Sequence, residues 1–138
     1  ILQCEAFSKM QSLQKLILNY IEHRLTDSAS KKLKDALKDS AELKEIDLTF
    51  GSTKNITDET LKNLGELISD KKSLQGFNLS VADAGFTPNG LVYFSEQARK
   101  CDSLQTLFLQ MLNSGIKAEN LMDAKRRLWR IREISIYV

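Results

Sequence analysis

The chain is poor in the residues that usually announce chemistry. It has one histidine, His23, set between Glu22 and Arg24 in what reads as a link. No serine or cysteine has a recognisable base beside it, so nucleophilic catalysis has no support in the sequence. There are two cysteines, Cys4 and Cys101. Two thiols without framework spacing suggest a reducing compartment rather than a disulfide scaffold. With His23 they also lack the spacing of zinc ligands. Neither G-x-x-x-x-G-K-[ST] nor G-x-G-x-x-G occurs, which removes two phosphate-binding signatures. Charge of one sign is missing too: the net charge is +2, so nucleic acid is not indicated. No apolar run approaches the ~20 residues of a membrane span, and the start shows no signal-peptide pattern. These absences lead to the expectation of a non-enzymatic, cytoplasmic chain with no cofactor, no metal and no small-molecule substrate.

What is present is a repeat. The 138 residues are 42% hydrophobic and 28% charged, enough apolar material for one domain with a core. An apolar triplet spaced L-x-x-L-x-L recurs five times: Leu13/Leu16/Leu18, Leu43/Ile46/Leu48, Leu74/Phe77/Leu79, Leu104/Leu107/Leu109 and Ile131/Ile134/Ile136. Successive triplets start 30, 31, 30 and 27 residues apart. A period of this size marks stacked units that bury their apolar faces against their neighbours. Within a triplet the last two residues are two apart and share one side of a strand.

Each triplet is followed by a polar link and then a helix signal. Thr26, Thr57 and Thr87 stand at cap positions, followed by Asp27, Asp58 and Pro88. Threonine suits an N-cap, proline the first helical position and acid the positive end of the helix dipole. Counting from the cap, apolar residues fall at +4, +7 and +11: Leu61, Leu64 and Ile68, then Leu91, Phe94 and Ala98, then Leu121, Ala124 and Leu128. Those steps trace one helix face. The first unit has Leu33 and Leu37 but Ser30 at +4, and the fourth has Lys117 in place of threonine, so its helix should start loosely. The spacing predicts strands near 13–18, 43–48, 74–79, 104–109 and 131–136, and helices near 27–39, 58–70, 88–100 and 118–129. Strand–helix–strand units imply a parallel sheet with right-handed crossovers.

These units resemble leucine-rich repeats of the ribonuclease-inhibitor-like and cysteine-containing subfamilies. The resemblance rests on Cys101-Asp102-Ser103-Leu104-Gln105-Thr106-Leu107-Phe108-Leu109 and on Ile56-Thr57-Asp58-Glu59-Thr60-Leu61, and it runs from about Met10 to Val138. It implies an α/β fold: a right-handed solenoid with a curved parallel sheet on its concave side and helices on its convex side. It also puts Cys101 at a core position. The family's Asn or Cys, three residues after each triplet, is replaced by Ile21, Gly51, Ala82 and Leu112. The side-chain ladder that ties its links is therefore expected to be missing.

Two surfaces are candidates for binding. On the concave face, strand positions line up in rows: Lys15, Glu45, Gly76, Thr106, Glu133; then Ile17, Asp47, Asn78, Phe108, Ser135; then Asn19, Thr49, Ser80, Gln110, Tyr137. Strands ~4.8 Å apart make each row a continuous stripe. Ile17, Glu45, Asp47, Asn78, Thr106, Phe108, Gln110 and Tyr137 are the candidate protein-binding residues, with aromatics favoured as anchors; scattered surface apolars are also ordinary. The second candidate is the basic run Lys125, Arg126, Arg127, Arg130 and Arg132. It suits an anionic partner (acidic peptide, RNA or lipid surface) or is simply a solvated helix end, the reading that charge runs favour. Trp129 is expected to cover the end of the core.

The function expected is a non-catalytic protein-interaction scaffold, a structural or adaptor subunit of a multi-subunit assembly. The alternatives are the substrate-recognition domain of a ubiquitin ligase, which needs an F-box-like segment upstream, and a small-GTPase regulator, which needs a dedicated Arg or Asn on a concave edge. The chain opens without Met inside a helical-looking stretch, 1–10, and so reads as part of a longer or processed protein. Its last strand, with only Arg132 and Glu133 to blunt it, is expected to be covered by another chain or by a further part of the same protein.

Overall fold

The computed structural model describes residues 6, 9–21 and 24–138. Each triplet feeds a strand: β1 (Lys15–Tyr20), β2 (Glu45–Ser52), β3 (Gly76–Ala82), β4 (Thr106–Leu112) and β5 (Glu133–Tyr137). Between them lie α1 (Asp27–Leu37), α2 (Asp58–Ser69), α3 (Pro88–Ala98) and α4 (Leu121–Arg127), the last preceded by a 3-10 turn at Ala118–Asn120. The strands pair in chain order and every pair is parallel. The fold is therefore α/β, a five-stranded parallel sheet with four helices. Residues 1–5, 7, 8, 22 and 23 lie outside the described part, and with them Cys4, His23 and most of the helix expected over 1–10.

The strands start two residues later than the triplets suggest and run further. The cause is a fork at each strand entrance. The Gln14 carbonyl accepts from the backbone N–H of both Lys44 and Glu45, Lys44 from Gln75 and Gly76, and Gln75 from Gln105 and Thr106. The first triplet residue closes the core from outside the regular ladder, as buried Leu43, Leu74 and Leu104 do.

One sheet face is dry. Ile46, Leu48 and Phe50, then Phe77, Leu79 and Val81, then Leu107, Leu109 and Met111 are all buried. The helices cover them with the +4, +7 and +11 positions, and the Phe77 and Phe94 rings meet at 5.8 Å. Fully burying one such side chain contributes about 1.5–3 kcal/mol. Where the first unit departs from the pattern, a polar pair fills the place. Ser30 is buried, donates to the Asp27 carbonyl at 2.7 Å and accepts from Asn63 Nδ2 at 3.1 Å.

The threonine caps do more between units than within them. Only the Thr57 side chain accepts a backbone N–H of its own helix, that of Glu59 at 3.3 Å. The threonines turn instead toward the aspartate of the preceding unit. Asp27 accepts from the Thr57 N–H at 2.9 Å, from Thr57 Oγ1 at 2.7 Å and from Thr60 Oγ1 at 2.7 Å. Asp58 accepts from the Thr87 N–H at 2.8 Å and from Thr87 Oγ1. Gly90 makes room for this: a Cβ there would lie 2.0 Å from Asp58 Oδ1. The ladder stops at the fourth unit, where Pro88 has replaced the aspartate and Lys117 the threonine. Asn120 substitutes locally, its Oδ1 accepting from the Lys117 N–H at 2.9 Å. The loose start expected of this helix takes the form of the 3-10 turn.

The links are also tied, one residue beyond the positions where a ladder was sought. Asp83 accepts from Ser52 Oγ and, at 3.3 Å, from Asn113 Nδ2. The Ser52 hydroxyl holds the Asp83 carboxyl below its usual range, helped by Asn113. Asp83 and Asn113 take φ of 57° and 56°, a left-handed turn that Asp and Asn tolerate best after glycine. At the other helix end, buried Lys71 donates to the carbonyls of Leu37, Lys38 and Ser40. This closes the last turn of α1, whose carbonyls have no partner within the helix. One unit on, the buried Cys101 thiol donates to the Lys71 carbonyl at 3.2 Å.

Candidate functional site

Because strand side chains alternate, the residues between the buried ones all emerge on the opposite face, which none of α1–α4 covers. The register sets Ile17 beside Asp47, Asp47 beside Asn78, Asn78 beside Phe108 and Phe108 beside Ser135. The flanking rows carry Lys15, Glu45, Gly76, Thr106 and Glu133 on one side, and Asn19, Thr49, Ser80, Gln110 and Tyr137 on the other. All eight sheet residues singled out from the sequence thus share one surface.

That surface has two chemically different regions. At the β4–β5 end, the Phe108 and Tyr137 rings sit 5.6 Å apart at 48°, a tilted aromatic pair with Tyr137 more than half exposed. Beside it Ser80 Oγ donates to Gln110 Oε1 at 2.9 Å. Toward β1 the surface dips into a polar hollow of about 320 Å³, bordered by Lys15, Glu45, Asp47, Asn78 and Thr106 with Gly76 at its floor. A Cβ on residue 76 would come within 3.1 Å of Thr106 Oγ1, so glycine keeps the hollow open. Lys15 and Glu45 pair at 2.6 Å, and the Glu45 carboxylate holds the Lys15 ammonium above its ordinary pKa. The Asp47 carboxylate makes no hydrogen bond or salt bridge among the described residues, although its charge adds to the field that raises the Lys15 pKa. Ile17, 61% exposed, forms the apolar margin of this end.

The basic run does not form one patch. Arg127 turns inward to Glu96 at 2.6 Å and Asp123 at 3.5 Å. Arg130 pairs with Asp102 at 3.2 Å and lies over the Trp129 ring at 5.5 Å. Lys125, Arg126 and Arg132 are exposed and meet no acid among the described residues. Trp129 does not cover the core: it is 74% exposed, and buried Leu128 and Ile131 close that end. Its place at +12, one step past the core position at +11, was the available signal. Met122, 73% exposed, was passed over in the sequence; at +5 it sits off the core face.

The described residues contain no group of His, Cys, Asp and Glu placed to hold a metal. No described helix is long and apolar enough to cross a membrane.

No protein-family profile matches this chain, and no curated protein matches it. Solved structures do. Leiomodin-1 actin-binding site 2 (ABS2) superposes with a TM-score of 0.73 at 11% identity, over 98% of this chain and 77% of that one. The tropomodulin C-terminal domain from Caenorhabditis elegans superposes with a TM-score of 0.68 at 17% identity, over 99% of this chain and 83% of that one. At such identities the likeness is one of fold.

This corrects the family resemblance drawn from the sequence. The fold is that of the tropomodulin and leiomodin domains, not of a ribonuclease-inhibitor-like leucine-rich-repeat protein. The triplets and the period report only that strand–helix units stack, a property shared by different families. The side chains that would have been specific, Asn or Cys in the links, are absent, and the Asp–Thr and Ser–Asp–Asn ties stand in their place. These neighbours lend no support to the scaffold, ubiquitin-ligase or GTPase-regulator readings.

Proposed function

We propose that this chain is a non-catalytic protein-binding domain that engages its partner through the open sheet face, and that actin is the first partner to test. The observation that carries the reading is the composition of that face. A tilted Phe108–Tyr137 pair, an Asp47 carboxylate without a hydrogen-bond partner among the described residues and an exposed Ile17 lie in adjacent rows of a surface that none of α1–α4 covers. Aromatic anchors beside a polar hollow are the usual makings of an interface centre. The fold likeness to a domain titled as an actin-binding site supplies the choice of actin. In this reading the stacked units form a right-handed arc with the sheet on its inner side, and the partner lies along the rows.

The test is co-sedimentation with filamentous actin and calorimetric titration with monomeric actin, using the parent, Phe108→Ala and Asp47→Lys. Both variants should weaken binding by ~10-fold or more while melting within a degree or two of the parent. Unaltered affinity in both would move the interface off the sheet face. No binding by the parent to either form of actin would remove actin.

A further inference from the structure

The four helices share one frame, so chemistry can be compared position by position from the caps Thr26, Thr57, Thr87 and Lys117. The +7 and +11 positions are apolar in all four units, while +4 is Ser30 in the first and leucine in the rest. Two outward positions, +9 and +12, keep one character through three units and change in the fourth, and +5 turns apolar one unit earlier. At +9 stand Asp35, Glu66 and Glu96, then Arg126. At +12 stand Lys38, Ser69 and Arg99, then Trp129. At +5 stand Lys31, Lys62 and Val92, then Met122.

Two of the three +9 acids meet the helix that follows, and Glu66 also pairs back with Lys34 of α1 at 2.7 Å. Glu66 accepts from Tyr93 Oη at 2.9 Å and Glu96 from Arg127 at 2.6 Å. In α4 the same position carries a cation, and among the described helices α4 packs chiefly against α3 and the 3-10 turn that precedes it. Met122 and Arg126 are spaced i, i+4 on α4, which puts them on one stripe, and Trp129 follows three residues later in the turn just past the end of α4. Ala124 and Leu128 are buried on the opposite side. Lys125 flanks the stripe, exposed and unpaired among the described residues. Two large apolar side chains, each more than 70% exposed, therefore flank Arg126, which meets no acid among the described residues, where the first three units carry an acid at +9 and polar groups at +12.

We infer that the Met122–Arg126–Trp129 face of the last unit is a second docking surface, and that its occupant is an acidic, amphipathic segment of a protein partner. Apolar residues of that segment would cover Met122 and Trp129, and a carboxylate would meet Arg126 as Glu96 meets Arg127 one seam earlier. Tryptophan and arginine together are the residue types most enriched where interfaces concentrate their affinity. This surface is separate from the open sheet face and does not depend on the partner assigned there.

Trp129 is the chain's only tryptophan, so its emission reads occupancy directly. The probe is a synthetic helical peptide with a leucine face flanked by glutamates, titrated into the full chain, beside the same peptide with lysines for glutamates. The glutamate peptide should shift Trp129 emission to the blue at saturation. Arg126→Glu and Met122→Lys should each weaken that binding ~10-fold or more, and Phe108→Ala should leave it unchanged. Both altered residues are exposed, so equal melting temperatures should confirm the fold. The proposal is overturned if the glutamate peptide produces no shift, if the lysine peptide binds equally, or if Arg126→Glu binds as the parent does. A shift obtained only with phosphatidylserine vesicles or only with single-stranded RNA overturns it as well, in favour of a membrane or nucleic-acid surface.

Discussion

The second and third helices and the fourth begin from equivalent positions but are fastened differently. α2 and α3 are joined to the unit before them at their N-termini, through Asp27 to Thr57 and Thr60 and through Asp58 to Thr87. Each carboxylate meets a backbone N–H and a hydroxyl at once, so a shift of one unit along the stack would break several bonds together. α4 lacks this tie. It has seven residues against eleven or twelve in the others, holds Ala124 where they hold leucine or phenylalanine, and its side-chain ion pair to α3 is Arg127 with Glu96. The difference shows that a regular apolar pattern secures burial, while unit-to-unit alignment comes from polar pairs thirty residues apart.

The largest expected effect comes from the shared core. Leu64→Ala and Phe94→Ala each remove a fully buried side chain and should cost roughly 2–5 kcal/mol in urea denaturation. Leu121→Ala, at the half-buried +4 position of the last unit, should cost only about 1–2 kcal/mol. Equal losses would erase the distinction between the regions.

Next in size is the ladder. Alanine in place of glycine inside a helix ordinarily stabilises by about 1 kcal/mol. Gly90→Ala should instead destabilise by about 1–3 kcal/mol, because the new Cβ meets the Asp58 carboxylate and forces an overpacked seam apart. Coupling to Asp58→Ala checks the cause: in the double variant most of the penalty should vanish. A fully additive cycle would mean that the seam is held by something other than this contact.

The smallest effect would sharpen the contrast by repairing it. Pro88→Asp with Lys117→Thr recreates the missing rung. Relative to Pro88→Asp alone, the pair should gain about 0.5–1 kcal/mol, in the range of one hydrogen bond. Amide exchange over 118–127 should slow, since local opening there sets protection. Unchanged exchange would show that the short α4 core, not the lost rung, is limiting.

Much of this architecture was legible because burial is periodic. Leu16, Ile46 and Phe77 mark their strands through spacing alone, and Leu61/Leu64/Ile68 mark a helix face. The ties were illegible for the opposite reason. Asp27 and Asp58 read locally as acids suited to a helix start, and nothing near them in sequence points to a threonine in the next unit. Ser52, Asp83 and Asn113 differ in residue type, so the row they form carries no sequence period. The sheet-face rows could be written from the strand alternation, but the Gly76 hollow and the Phe108–Tyr137 approach depend on register across strands. Trp129 is large and apolar, which suits a core lid, but its one-step offset from the +11 core position turns it to solvent.

The buried Lys71 cap has a consequence for chemical reactivity. Its ammonium is enclosed by three carbonyls at the end of α1, and burial pulls its pKa below the ordinary lysine value. An amine-reactive reagent at neutral pH would modify exposed lysines such as Lys31 and Lys62 first and reach Lys71 only when that junction parts. Cys101 does the same for thiol reagents one unit further on. The two side chains are thus a pair of built-in clocks, one per seam, whose labelling rates would show whether adjacent units open together or in turn.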